Sequence, residues 1–100
     1  QQCIDFLLDR VGHERANAEG EVRRSFTANY GPLYQLAYMV GGLQFYALKQ
    51  ELVDSGKMSY KQYHDAVMAE NSMPVEMVRA LLTKQEVKKE FKTSWKFYKK

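Results

Sequence analysis

The chain has 100 residues, a hydrophobic fraction of 45% and a charged fraction of 27%. This length suits one compact domain that buries roughly 60–65% of its unfolded surface, and the composition excludes a collagen-like, low-complexity or disordered chain. The net charge of +3 is uneven: residues 84–100 hold seven lysines against two glutamates, so the basicity belongs to the tail and not to the body.

Cys3 is the single cysteine. It can form no internal disulfide and no multi-cysteine zinc site. The chain opens Gln1-Gln2-Cys3, and residues 4–11 are interrupted by Asp5, Asp9 and Arg10, unlike a signal peptide. The expectation is a piece of a longer protein.

Ile4, Leu7, Leu8 and Val11 recur at i, i+3, i+4 and i+7 and predict a short first helix that stops at Gly12. A second helix is predicted from His13 to about Asn29. Its apolar stripe is thin (Ala18, Val22, Phe26), and Gly20 weakens it by about 1 kcal/mol relative to Ala. Tyr30-Gly31-Pro32 marks a boundary, with Gly31 suited to a left-handed cap and Pro32 to a first helical turn.

The third helix, Pro32 to about Ser55, is the most informative. Leu33, Leu36, Ala37, Val40, Leu43, Ala47 and Leu48 form one stripe; Tyr34, Tyr38, Gly41 and Phe45 form a second. A helix apolar on most sides reads as central and buried. Its run falls short of the ~20 apolar residues that span a bilayer, so no transmembrane segment is expected. Gly41-Gly42 lies mid-helix, where each glycine costs about 1 kcal/mol. Close approach of another helix would explain the pair, as would room for a ligand.

Ser59-x-x-Gln62 is a capping box that opens a fourth helix, with Met58 and Tyr63 as its hydrophobic staple. Asn71-Ser72 breaks it. Pro74 starts a fifth helix through Leu82, with Val75, Val78 and Leu82 on one face. Thr83-x-x-Glu86 reads as another capping box, opening an amphipathic tail in which Val87, Phe91, Trp95 and Tyr98 keep helical spacing. The fold class is therefore all-α: five to six helices packed around a central buried helix at about 32–55. Residues 1–100 read as one helical domain, with 84–100 as its lysine-rich tail.

Complete catalytic motifs are absent from the sequence. His13-Glu14 begins an H-E-x-x-H pattern, but position 17 is Asn, so the second zinc ligand is missing. None of Ser25, Ser55, Ser59, Ser72 and Ser94 sits in a G-x-S-x-G elbow. Lysines interleaved with aromatics in the tail fit docking on the protein's own surface better than an anionic membrane or nucleic acid, and no nucleic-acid partner is expected. Tyr30, Tyr34 and Tyr38 lie four apart. Their hydroxyls suit core hydrogen bonds or, in a cleft, stabilisation of an oxyanion.

Three blocks together carry a resemblance. The first is Gly12-His13-Glu14-Arg15, Asn17-Ala18 and Glu21-Val22-Arg23-Arg24-Ser25-Phe26. The second is Tyr30-Gly31-Pro32-Leu33-Tyr34-Gln35, Ala37-Tyr38, Gly41-Gly42-Leu43-Gln44 and Ala47-Leu48. The third is His64-Asp65-Ala66 and Met73-Pro74-Val75-Glu76-Met77-Val78-Arg79-Ala80. In this order, over about residues 4–82, they resemble the C-terminal end of the bacterial domain-of-unknown-function family 885.

That resemblance implies a fragment of a larger, mostly helical, zincin-like fold. It implies a zinc-dependent peptidase or hydrolase as the parent, with the H-E-x-x-H helix and a further acidic ligand upstream. On that reading this chain holds no metal and is not itself an enzyme; zinc is expected in the intact parent. Its partners are the remainder of the parent chain and the peptide substrate, in a periplasmic or cell-envelope setting. By similarity, Tyr38 and Tyr34 would support the transition state and Gln35 and Arg24 would contact substrate. The alternative is an independent helical interaction module, binding a partner beside Gly41-Gly42 or through its basic tail.

Overall fold

The computed structural model describes residues 1–27, 29–31 and 33–98. Gly12 ends the first helical segment with φ 78°, a left-handed conformation that its missing Cβ permits. Before it run α1 (Gln2–Phe6) and a π turn (Leu7–Val11). There follow α2 (Arg15–Thr27), α3 (Tyr34–Lys49) with a second π turn (Gln50–Asp54), α4 (Tyr60–Ala69) and α5 (Val75–Leu82). These are the five α-helices expected, and no strand occurs among the described residues. No helix among them is long and apolar enough to cross a membrane.

The chain divides into two compact units, Gln1–Ala37 and Tyr38–Lys100. In the first, α2 begins at Arg15 and not at His13, because Glu14 acts as its cap. The Glu14 carboxylate accepts the backbone N–H groups of Ala16 (3.0 Å) and Asn17 (3.1 Å), donors that the first helical turn leaves without partners. Ala18 is fully buried, whereas Phe26, the far end of the expected stripe, is exposed. Gly31 does not adopt the left-handed conformation expected of it. The role expected of Pro32 lies outside the described residues.

The second unit is organised on Leu48, Leu52, Tyr63 and Val78. Val53, Met58, Val67, Met73, Leu82 and Trp95 pack around them. Both halves of the capping box at Ser59 and Gln62 form, and Met58 and Tyr63 meet at this core as a staple should. Burial raises the pKa of the Tyr63 phenol above its ordinary value, and its hydroxyl donates to the Phe45 carbonyl at 2.9 Å.

Two expectations fail here. The long third helix is not buried along its length. Leu48 at its end and Leu52 in the π turn enter the core, but Leu33, Leu36, Met39, Tyr46 and Tyr38 (67% exposed) face outward. The core of the second unit forms around the end of α3 and the π turn, so its middle keeps an apolar face uncovered.

The tail is not a sixth helix. Thr83 closes α5 instead of opening a new helix, and its hydroxyl donates to the Arg79 carbonyl at 2.7 Å. Lys84 follows with φ 54°, its N–H donating to the Leu81 carbonyl (3.1 Å), and the Gln85 N–H donates to the Ala80 carbonyl (2.8 Å). This is a Schellman cap. It turns the chain out of the helix, and residues 85–98 continue without helical structure.

Candidate functional site

Two of the four expected site residues meet in a polar cluster of the first unit. Glu21 on α2 stands one turn before Arg24 and Ser25, so all three share a side of that helix. Arg24 Nη2 donates to Glu21 Oε2 at 2.6 Å, and Gln35 Nε2 donates to the same oxygen at 3.2 Å. Ser25 Oγ donates to Gln35 Oε1 at 2.6 Å. Both ends of the Gln35 amide are thereby committed and its orientation is fixed.

The cluster joins α2 to the start of α3, and it is not a nucleophilic site. The acceptors within reach of the Ser25 hydroxyl are the Gln35 amide oxygen and the Glu21 backbone carbonyl (3.1 Å), and neither is a base that could activate it. The Arg24–Glu21 pair is solvent-facing, with side chains 42% and 37% exposed, and such a pair contributes little net stability. What the cluster does is hold the Arg24 guanidinium and the Gln35 amide on one shared oxygen of Glu21.

Tyr34, next to Gln35, stacks on Tyr30 with ring centroids 4.2 Å apart and planes inclined by 14°. This contact bridges the boundary that the sequence places at Tyr30-Gly31-Pro32. Tyr38 lies one turn further along α3 and is largely exposed.

Zinc finds no donor set in this arrangement. His13 and Glu14 are followed at 17 by Asn, whose Nδ2 lies 3.3 Å from His13 Nδ1, and the Glu14 carboxylate is occupied in capping. Among the described residues no three His, Cys, Asp or Glu side chains are grouped to hold a metal. The described residues group no donors for the ion that the family resemblance implies for the parent.

A family model described as "Bacterial protein of unknown function (DUF885)" matches residues 1–82. The chain belongs to this family. No curated protein and no solved structure matches it. Helices α1 to α5 lie within the DUF885 match and the lysine-rich tail lies beyond it.

Two features of the second unit escape sequence reasoning. An open depression of about 320 Å³ is lined by Leu52, Lys57, Met58, Leu82, Thr83 and Lys84. Arg79 on α5 forms a two-pronged ion pair with Glu51 in the π turn (2.6 and 3.0 Å). These partners lie 28 residues apart, so no local pattern could have paired them. The available signal was weaker: Arg79 sits among Val78, Ala80, Leu81 and Leu82 and needs an anion nearby, but Glu76 on the same helix is the partner a local pattern would name.

Proposed function

We propose that this chain is the non-catalytic, C-terminal helical portion of a zinc-dependent, peptidase-like hydrolase, and that α3 forms a wall of the substrate cleft. Membership of DUF885 supports the placement only through the zincin-like, helical body that the family resemblance implies. The observation that carries the reading is the exposed, tyrosine-bearing stretch of α3, with Arg24 and Gln35 fixed at its start by Glu21.

In this reading the metal and its ligands belong to the rest of the parent chain, in a periplasmic or cell-envelope setting. There the ion would supply an activated water. The residues described here do different work. Tyr38 and Tyr34 offer hydroxyl donors to the oxyanion that develops from a peptide carbonyl. Gln35 and Arg24 contact the peptide.

The test is peptide hydrolysis by the intact parent with and without a chelator, beside this chain alone. Chelator-sensitive cleavage by the parent and none by the chain is the expected outcome. Because Tyr38 is mostly exposed, Tyr38→Phe should leave the fold in place while lowering kcat about 10²-fold. Unchanged turnover removes Tyr38 from the mechanism. No cleavage by the parent across a broad peptide set favours the second reading, an independent interaction module.

A further inference from the structure

The DUF885 match ends at residue 82, yet a side chain far beyond it packs on the core of the second unit. Trp95 is half-buried against the cluster of Leu48, Leu52, Tyr63 and Val78. Its ring centroid lies 5.2 Å from the Arg79 guanidinium carbon. That guanidinium is already held. Its Nε and Nη2 donate to the two carboxylate oxygens of Glu51, in a pair whose side chains are only 20% and 26% exposed. A planar cation pinned at its edge by a carboxylate leaves a face free for an aromatic ring. Phe97 adds a second ring, 5.7 Å from Trp95.

The segment leading to this contact is unlike the rest of the unit. Every residue from Lys84 to Ser94 is exposed, and none is helical. The segment is fixed at one end by the Schellman cap at Lys84 and at the other by the indole.

We infer that residues 85–98 are a strap, latched by the seating of Trp95 on the Arg79–Glu51 pair and the apolar cluster beside it, which swings open when the indole unseats. Opening bares the part of the apolar cluster that the indole covers. A contact of this class biases a two-state equilibrium by about tenfold, enough to set how often the strap is open without deciding whether the unit folds.

Trp95 is the only tryptophan, so its fluorescence reads the latch alone. In the unaltered chain, acrylamide should quench Trp95 several-fold more slowly than a free indole amide. Arg79→Met keeps the aliphatic stem and removes the cation. It should speed quenching about threefold or more and trypsin cleavage after Lys88, Lys89 and Lys92 about tenfold, with far-UV circular dichroism unchanged. Trp95→Phe should retain the slow cleavage and Trp95→Ala should lose it. Quenching in the unaltered chain as fast as in the free amide overturns the strap, as does an unchanged response in Arg79→Met. If Arg79→Met loses its helical signal, Trp95→Ala decides, because it leaves the ion pair intact: unchanged cleavage there overturns the proposal.

Discussion

Glu14 receives two backbone N–H groups at the entry to α2, and these bonds, the one from Ala16 first, hold its carboxyl below the usual carboxylate pKa. A depressed folded-state pKa carries a definite sign. Its stabilising contribution is complete above the unfolded value of about 4.3 and is lost as pH falls through the lowered folded value. Glu14→Gln should therefore flatten the acid side of the stability profile. Thermal midpoints measured from pH 7 to pH 2 should fall less steeply in the variant than in the parent sequence. Parallel curves would show that the cap contributes nothing. The polar start of α2 was legible from His13-Glu14, but not which side chain caps it, because Ser, Thr, Asp and Asn are the usual caps and none stands there. Thr83 shows the opposite failure. A Thr between two apolar runs satisfies the sequence rules for opening a helix, and only the bond from its hydroxyl back to Arg79 reveals that it closes one.

Among the elements, α4 and α5 were legible nearly to their ends, because Ser59, Gln62 and Pro74 act locally and the apolar period is short and clean. The two π turns were not: widening one turn of a helix leaves no mark in composition. The tail kept helical spacing for a different reason. Trp95 sits where a tertiary contact with Arg79 needs it, not where a helix would repeat it. The cap that ends α5 places a lysine at a left-handed position, a conformation that strains any side chain with a Cβ. Lys84→Gly should relieve that strain and stabilise the second unit by about 1 kcal/mol, read as a higher denaturant midpoint with an unchanged slope. A lower midpoint would mean that the left-handed cap does not form in solution.

At the scale of the whole molecule, the apolar side chains outnumber the places that cover them. Leu36, Met39, Leu43 and Tyr46 recur at i, i+3, i+7 and i+10 along α3, so their exposure concentrates on one face. Periodicity reports what a helix is able to bury, not what stands ready to bury it, and so the same pattern predicted a central position. A chain with this face bare should bind a hydrophobic dye and self-associate as concentration rises, which sedimentation would register. A dye-silent monomer would favour the free-standing module over a wall of a larger enzyme. Gly41 and Gly42 lie on this same helix, and a Cβ built at either would meet nothing within 4 Å. Among the described residues, none makes the close approach that was one of the two explanations for the pair. Over nearly two residues of helix the surface is bare peptide, with no side chain to offer charge, hydroxyl or ring. A ligand settling there would meet peptide at those two positions and take its chemistry from the flanking Tyr38 and Phe45, which share the stripe of Gly41.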